Sequence, residues 1–580
     1  MGRELELIFS EKHIGLDTET TGLELFNGDN ILGLSLYGGT TGIYIDRRED
    51  LVAFTKAAAL LSNFQGTLFI HNAKFDIHSL ATMGIKLHPQ VRIHCTEANE
   101  RLVDNQRMAY SLDALAPLVD EKKDDVVKEY LDSMNLWEWT KKPGSKTRSK
   151  NYFFDKVPFQ LMRKYAIQDA KITYKLGMYQ GSHLQHLNKI KGDHVAHDYL
   201  APLIRERRVT KVLSEMEAVG IKIDRDYCKQ ALVYEEEEAA IAMDRLEKLC
   251  GEQFVDSNKF LAKIFSKQGY VPKKTLKGNP TFTSDVLEEM DNPIALYVLK
   301  YRNAKKRSST YYENFLWLSD ADDVIHCNFK QCGAATGRMS CTNPNLQNLT
   351  KEEEASVPYK VRSSFIPREG YYFASIDYDQ MEYRMMLEYA KETGVIEQIL
   401  QGVDVHQATA NMMGVDRKTA KTINFALLYG AGVAKLAKQL GVDELKAKDL
   451  KDTYFQKLPR VSLFIRETIN QAKTKKFIVN WAGRRYQFPD SNFAYKAPNY
   501  LIQGGCAEVV KEGMIRVHEF LKEKKSRILV QVHDEVLLEV HESEAGIEEE
   551  CKKLLENCFP YKLLPLTCGL DVYKKAWLVN

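Results

Sequence analysis

Apolar and polar residues are arranged differently in three stretches of the chain. Up to about residue 190, short apolar runs are separated by helical patterns. ILGLSLYGG (31–39) and TLFIHN (67–72) read as strands, and 158–176 reads as a helix with Pro158 near its start. Within this stretch, KKPGSKTRSKN (141–151) carries five cations, no acid and a Pro-Gly turn. It reads as a solvated loop, with a phosphate- or partner-contacting loop as the alternative. From 191 to 330 the pattern is helical and charged, and the YEEEE run from Tyr234 to Glu238 belongs on a solvated helix face. From 331 onward Gly, Asn and Pro cluster in CGAATGRMSCTNPNLQN, and strand-like runs then alternate with long helices. No tandem repeat or low-complexity tract is visible.

A chain of 580 residues is too long for one core, so three to five compact units are expected. The net charge of +2, from 81 basic and 79 acidic residues, says little about partners, because a neutral protein can still present a basic groove. Ten cysteines occur without any CxxC pair, which argues against a zinc ribbon and fits buried thiols in a reducing cytosol. MGRELELIFS lacks a signal-peptide pattern, and Glu6 breaks a myristoylation pattern. No apolar stretch is long enough to span a membrane. A cytoplasmic protein without a membrane partner is expected, and an organelle stays open.

Two groups of residues carry chemistry. In IGLDTET (14–20), strand alternation puts Asp17 and Glu19 on one face. Two such carboxylates repel each other unless cations neutralise them, and oxygen donors suit Mg²⁺ or Mn²⁺. LFIHNAKFDIHSL (68–80) runs from a strand into a helix carrying Asp76, with Asn72 four residues earlier as a neighbour of the site. YAIQDA puts Tyr165 and Asp169 at i and i+4 on one helix face, where the phenol could orient a water. The ordered set Asp17, Glu19, Asp76, Tyr165 and Asp169 resembles the DEDDy 3′→5′ exonucleases. The resemblance implies a nuclease of RNase H-like fold with two metal ions held by the four carboxylates.

The second group lies in the C-terminal half. SIDYDQMEYR (375–384) reads as a buried strand ending in Asp377, then a turn into a helix. QVHDEV (531–536) reads as a hairpin with His533, Asp534 and Glu535 at its tip. In RKTAKTINFALLYG (417–430), Arg417, Lys421, Phe425 and Tyr429 form one drifting helical stripe, with Ile423, Ala426 and Leu427 on other faces. Cations suit phosphates and rings suit sugar and base. Together with TGRMSCTNPNLQN (336–348) and KAPNYLIQGG (496–505), these segments resemble motifs of the family A DNA polymerases over essentially the whole chain.

That resemblance implies an α/β and α+β multidomain protein: an exonuclease domain (1–190), a thumb with a first palm segment (191–330), palm (331–400), fingers (401–494) and palm (495–580). It implies Asp377, Asp534 and the Tyr378 carbonyl as metal ligands, with Glu535 in support. It also implies Gln380, His406, Arg417 and Lys421 around the triphosphate, Glu382 as the gate against a ribose hydroxyl, Phe425 at the sugar and Tyr429 beside the templating base. Arg338, Asn499, Gln503 and His533 match DNA contacts. Two Mg²⁺ (or Mn²⁺) ions per active site, primer-template DNA and dNTPs are implied, in a monomeric, phage-type replicative enzyme without a 5′-nuclease domain.

Departures from the family pattern are Asp379, Tyr383 and Ala426 where Ser, Leu and Gly are commoner. Asp379 either perturbs metal affinity or faces solvent. LEKLCGEQFVDSNKFLAKIF (246–265) leaves no room for a long thumb insertion, so a thioredoxin-type processivity partner is not expected; a helicase, primase or single-strand-binding protein is conceivable. KKRSSTYY (305–312) is a primer-duplex candidate or a solvated helix end. A single-subunit RNA polymerase disagrees with Glu382, Phe425 and the intact nuclease set. An inactive scaffold would have lost a carboxylate, and a vestigial polymerase the 417–430 stripe.

Overall fold

The structure is a computed structural model, describing residues 2–143, 147–190, 198–275, 277–349, 357–428, 430–560 and 562–579. Tyr429 and residues 144–146 of the basic loop thus lie outside the described residues. A five-stranded sheet comes first: β1 (His13–Thr20), β2 (Ile31–Tyr37), β3 (Gly42–Asp46), β4 (Thr67–Ile70) and β5 (Arg92–Cys95), in the order β3-β2-β1-β4-β5. β1 is antiparallel to β2 and parallel to β4. Helices α1 (Ala73–Ala81) and α2 (Phe159–Ile190) pack around it, and Ile14, Leu16, Leu34, Leu36, Leu68 and Ile70 fill its core. Gly15 matters here: a Cβ would run into the Ala170 carbonyl and Tyr174, so its absence lets α2 close onto β1. The predicted helix is there and runs on through Gly177 and Gly181 to Ile190, with no proline after Pro158 to stop it.

Helix α3 (Ala201–Val219) joins this unit to the rest. Helices α4 (Arg225–Cys250) and α5 (Pro293–Lys305) form an antiparallel pair with its own small core around Phe265, Phe282 and Leu261. The largest core surrounds a second, antiparallel sheet of four strands. These are β6 (Tyr371–Tyr378), β7 (Arg527–Val532), β8 (Glu535–His541) and β9 (Cys568–Tyr573), in the order β7-β8-β6-β9. Around it lie α6 (Met381–Ala390), α7 (Val405–Met413), α8 (Arg417–Leu428) and α9 (Ala497–Leu521).

The structure corrects three expectations. Glu235, inside the YEEEE run, is buried and bonded to Arg307; only Glu236, Glu237 and Glu238 face solvent. In 305–312, Lys306–Tyr312 forms a π-helical stretch, not a simple helix end. Tyr311 and Tyr312 there are buried, donating to the carbonyls of Asn348 and Tyr359, so the tyrosines are withdrawn from a duplex while Lys305, Lys306 and Thr310 stay exposed. Around the basic loop, Trp137–Thr140 and Ser149–Tyr152 form a hairpin. Its Lys150 is tied to Asp132 (2.6 Å) and lies over the Trp137 ring.

Candidate active sites

The first site forms where β1, α1 and α2 meet. The period of β1 brings Asp17 and Glu19 to one face, and Asp76 on α1 turns toward the same strand, accepting from the Thr18 amide and hydroxyl, both at 2.8 Å. Asp169 and Tyr165 come from α2. Burial and then the charges of its neighbours Glu19, Asp76 and Asp169 push the Asp17 carboxyl well up. Burial, then Asp169, lifts Glu19 to about 8, and burial lifts Asp76 to about 7 against the Thr18 hydrogen bonds. Glu19 Oε1 and Asp169 Oδ1 are buried without a hydrogen-bond partner. Repelling carboxylates with orphaned oxygens are the donor set of a hard cation. Among the described residues no three such side chains converge into a ready-made metal cage. In this site Asp76 leans to Thr18, and Lys123 has come in to pair with Asp169. Asn72, expected nearby, is an exposed helix-start residue at φ +55° and joins none of these hydrogen bonds.

The second site lies at one end of the four-stranded sheet. Asp377 stands opposite Glu535 in the β6–β8 register, and the Tyr378 amide donates to the Asp534 carbonyl (3.2 Å), so the two motif aspartates flank one ladder end. Glu535 is not at the hairpin tip as expected. It begins β8, buried, where Ser375 donates to it (2.5 Å) and Arg362 bonds it (3.2 Å). His533, at φ +56°, and Asp534 make the turn. A cavity beside them is lined by Arg338, Glu382, Gln531, His533, Asp534 and the α9 residues Cys506, Ala507 and Val510. Arg338 is ion-paired with Glu382 across it. Gln503 and Asn499 lie on α9 one and two turns before Ala507, and Asn499 Oδ1 is a buried oxygen without a partner.

Helix α8 presents Arg417, Lys421 and Phe425 to solvent while Ile423, Ala426 and Leu427 are buried, so the stripe is an open face and Phe425 is no core residue. The Phe425 ring lies 5.6 Å from that of His406, whose Nδ1 contacts Asn424 (3.1 Å). Burial lowers the His406 pKa, with Asp404 opposing. Asp404 caps α7 through the His406 and Gln407 amides, accepts from Arg417 (2.9 Å) and from Gln380 (3.3 Å), and so links three expected site residues.

Residues 225–577 match the family model described as DNA polymerase family A, and residues 5–180 match a 3′-5′ exonuclease model. The chain belongs to DNA polymerase family A. A 3′-5′ exonuclease domain precedes its polymerase domain. Among family relatives, "DNA polymerase DpoZ" of Salmonella phage PMBT28 is 27% identical, the match covering 94% of this chain and 93% of that protein. DNA polymerase I of Chloroflexus aurantiacus is 29% identical over 96% of this chain, which spans 60% of that protein's length. The structure of the POL domain of Pol1 from M. smegmatis, in complex with DNA primer-template and dNTP, superimposes with a TM-score of 0.83 at 25% identity, covering 99% of this chain and 97% of that one.

Two groups escaped sequence reasoning. Lys123 sits in DEKKDD, a run that reads as a solvated turn. Asp404 precedes His406 by two residues, and its N-cap position was the readable signal. Asp379 is exposed and accepts from the Thr567 hydroxyl (2.8 Å), which favours the solvent-facing alternative. Among the described residues no helix is long and apolar enough to cross a membrane.

Proposed function

We propose that this chain extends a primer 3′ end with dNTPs under template direction, and that its N-terminal domain removes mispaired 3′ nucleotides. The observation that carries the reading is the meeting of Asp377 and Asp534 at one ladder end, beside the exposed Arg417–Lys421–Phe425 face. The β6–β9 sheet is the palm, α8 belongs to the fingers, and the α4–α5 pair is the thumb.

Asp377, Asp534 and the Tyr378 carbonyl would hold two Mg²⁺ (or Mn²⁺) ions, and Asp17, Glu19, Asp76 and Asp169 would hold two more. Bound there, divalent ions lower the pKa of an attacking hydroxyl or water and neutralise the leaving group. The chain's own groups do the rest. Arg417 and Lys421 bind the triphosphate by charge-assisted hydrogen bonds, with Gln380 and His406 beside them and Tyr429 at the templating base. Arg417 leaves Asp404 to do so, and closing α8 excludes water. Glu382 leaves Arg338 to face the nucleotide sugar against Phe425, which frees Arg338 for the primer end. Asn499, Gln503 and His533 contact the duplex. Glu535, fixed by Ser375 and Arg362, holds the Asp534 turn in place. In the nuclease, Tyr165 orients the attacking water. The site falls within a phage-type replicative role in the host cytoplasm.

The test is primer extension and degradation of a 3′-mismatched primer on one set of proteins. Asp377→Asn or Asp534→Asn abolishes extension and leaves degradation; Asp17→Asn with Glu19→Gln does the reverse. Extension by Asp534→Asn at the unmodified rate defeats the assignment.

A further inference from the structure

Lys123 lies in the turn 120–125, between the exonuclease sheet and α2. Its neighbours tie that turn to α2 on both sides. Glu121 is bonded to Lys171 (2.8 Å), Lys175 (2.5 Å) and Gln168 (2.9 Å), and Asp124 to Lys164 (2.9 Å). Strapped this way, the turn aims Lys123 inward. Its ammonium pairs with Asp169 and lies 5.0 Å from the Tyr165 ring centre. Among the described residues no other Lys or Arg forms an ion pair with Asp17, Glu19, Asp76 or Asp169, the four carboxylates of the site. Lys123 is about four-fifths buried, its side chain being 21% exposed. A lysine left there without anionic company would be costly, and so would four carboxylates without a cation.

Resting on the exonuclease reading above, we propose that Lys123 is a resident cation of the proofreading site. It holds Asp169 and the facing carboxylates together while no divalent ion is bound, and it competes with divalent ions for Asp169. Once displaced, its ammonium faces the anion that enters with the substrate, the scissile phosphodiester. Lys123 is then a positioning residue in the free protein and a phosphate contact in the complex.

The experiment uses the full chain carrying Asp377→Asn and Asp534→Asn, so that the polymerase carboxylates contribute no metal site. Mn²⁺ binding is followed by the electron paramagnetic resonance of the free ion, and melting is recorded in EDTA at about pH 8. Lys123→Met is expected to bind Mn²⁺ about tenfold more tightly, the equivalent of one pKa unit of interaction. It is also expected to melt lower in EDTA and to degrade a mismatched primer, measured with the same protein in saturating Mn²⁺, more slowly. Lys123→Arg keeps the cation and restores all three. Unchanged Mn²⁺ affinity and unchanged melting in Lys123→Met overturn the inference. Asp17→Asn with Glu19→Gln, in the same background, separates the two readings. If that pair removes Mn²⁺ binding while Lys123→Met changes nothing, only the role of Lys123 falls. If the pair leaves Mn²⁺ binding intact, the exonuclease assignment falls and the inference with it.

Discussion

Asp17 and Glu19 are expected to cost the metal-free protein stability. Glu19, held up at about 8, and Asp76, at about 7, keep protons that an unfolded chain has already released. The folded state therefore binds more protons between the ordinary carboxylate range and about pH 8. Stability in EDTA falls as pH rises through that window and levels off above it. Asp17→Asn with Glu19→Gln should flatten the slope. It should also raise the melting temperature at about pH 8. A melt series in EDTA from about pH 5 to 9 checks this, and an unaltered slope contradicts it. The nucleotide side offers a second test at one residue. Lys421 is exposed, with no carboxylate in reach among the described residues, so Lys421→Ala should spare duplex affinity. Losing a charge-assisted bond of about 1.5–3 kcal/mol lowers dNTP efficiency about ten- to hundredfold. A loss seen only in duplex binding would remove the phosphate role. These residues were legible because each repeats with its element: Asp17/Glu19 at period two, Arg417/Lys421/Phe425 at i+4. Lys123 was not, because a lone charge in a turn carries no period, and Asp404 offered only a helix-cap position, which tells nothing of its bonds to Arg417 and Gln380.

At the scale of the element, the proposed reading of the sugar belongs to α8. Its apolar residues face the core and Phe425 faces the open side, 38% exposed. A hydroxyl added to an exposed ring leaves no buried polar group behind, so Phe425→Tyr should fold normally. Wild type should discriminate against dideoxynucleotides, since an apolar ring offers nothing to the place of a missing 3′-hydroxyl. Phe425→Tyr should largely abolish that discrimination while normal synthesis continues. Competition of ddNTP against dNTP on both proteins measures it, and an unchanged ratio with a lowered melting temperature would contradict it. Elsewhere, element-level reading went astray where one residue departed from its neighbours. The four consecutive glutamates after Tyr234 look uniformly solvated, yet Glu235 turns inward to Arg307. The 305–312 segment looks like a basic helix end, yet its tyrosines close against 348 and 359. Both depend on a partner far away in sequence, which no local pattern records.

Across the whole molecule, buried charge rather than apolar packing alone ties the exonuclease unit to the polymerase. Helix α3 runs between them. Its Glu206 is wholly buried, bonded to Arg484 and to Lys511 (2.5 Å), and Arg484 also holds Glu508, which Arg205 of α3 reaches at 2.7 Å. Burial would raise Glu508, but Arg484 and Arg205 hold it down to about 2. Further along α3, Glu217 accepts from Lys74 (3.0 Å) and His78 (2.9 Å) of α1 and from the Phe329 amide (2.6 Å). Helix α1 is the one that carries Asp76, so Glu217 ties the helix of the proposed exonuclease site to α3. Removing either glutamate strands a buried cation, a loss of about 3–5 kcal/mol for a broken pair. The two should differ in effect. Glu206→Ala lowers the melting temperature without favouring one activity, because its partners, Arg484 in a hairpin and Lys511 on α9, touch neither set of catalytic carboxylates. Glu217→Ala releases Lys74 and His78, loosens α1, and should depress degradation of a mismatched primer more than extension of a matched one. The ratio of the two activities, taken well below both melting temperatures, reads this directly. An equal ratio in the two variants would mean that Glu217 only holds the units together and does not position Asp76.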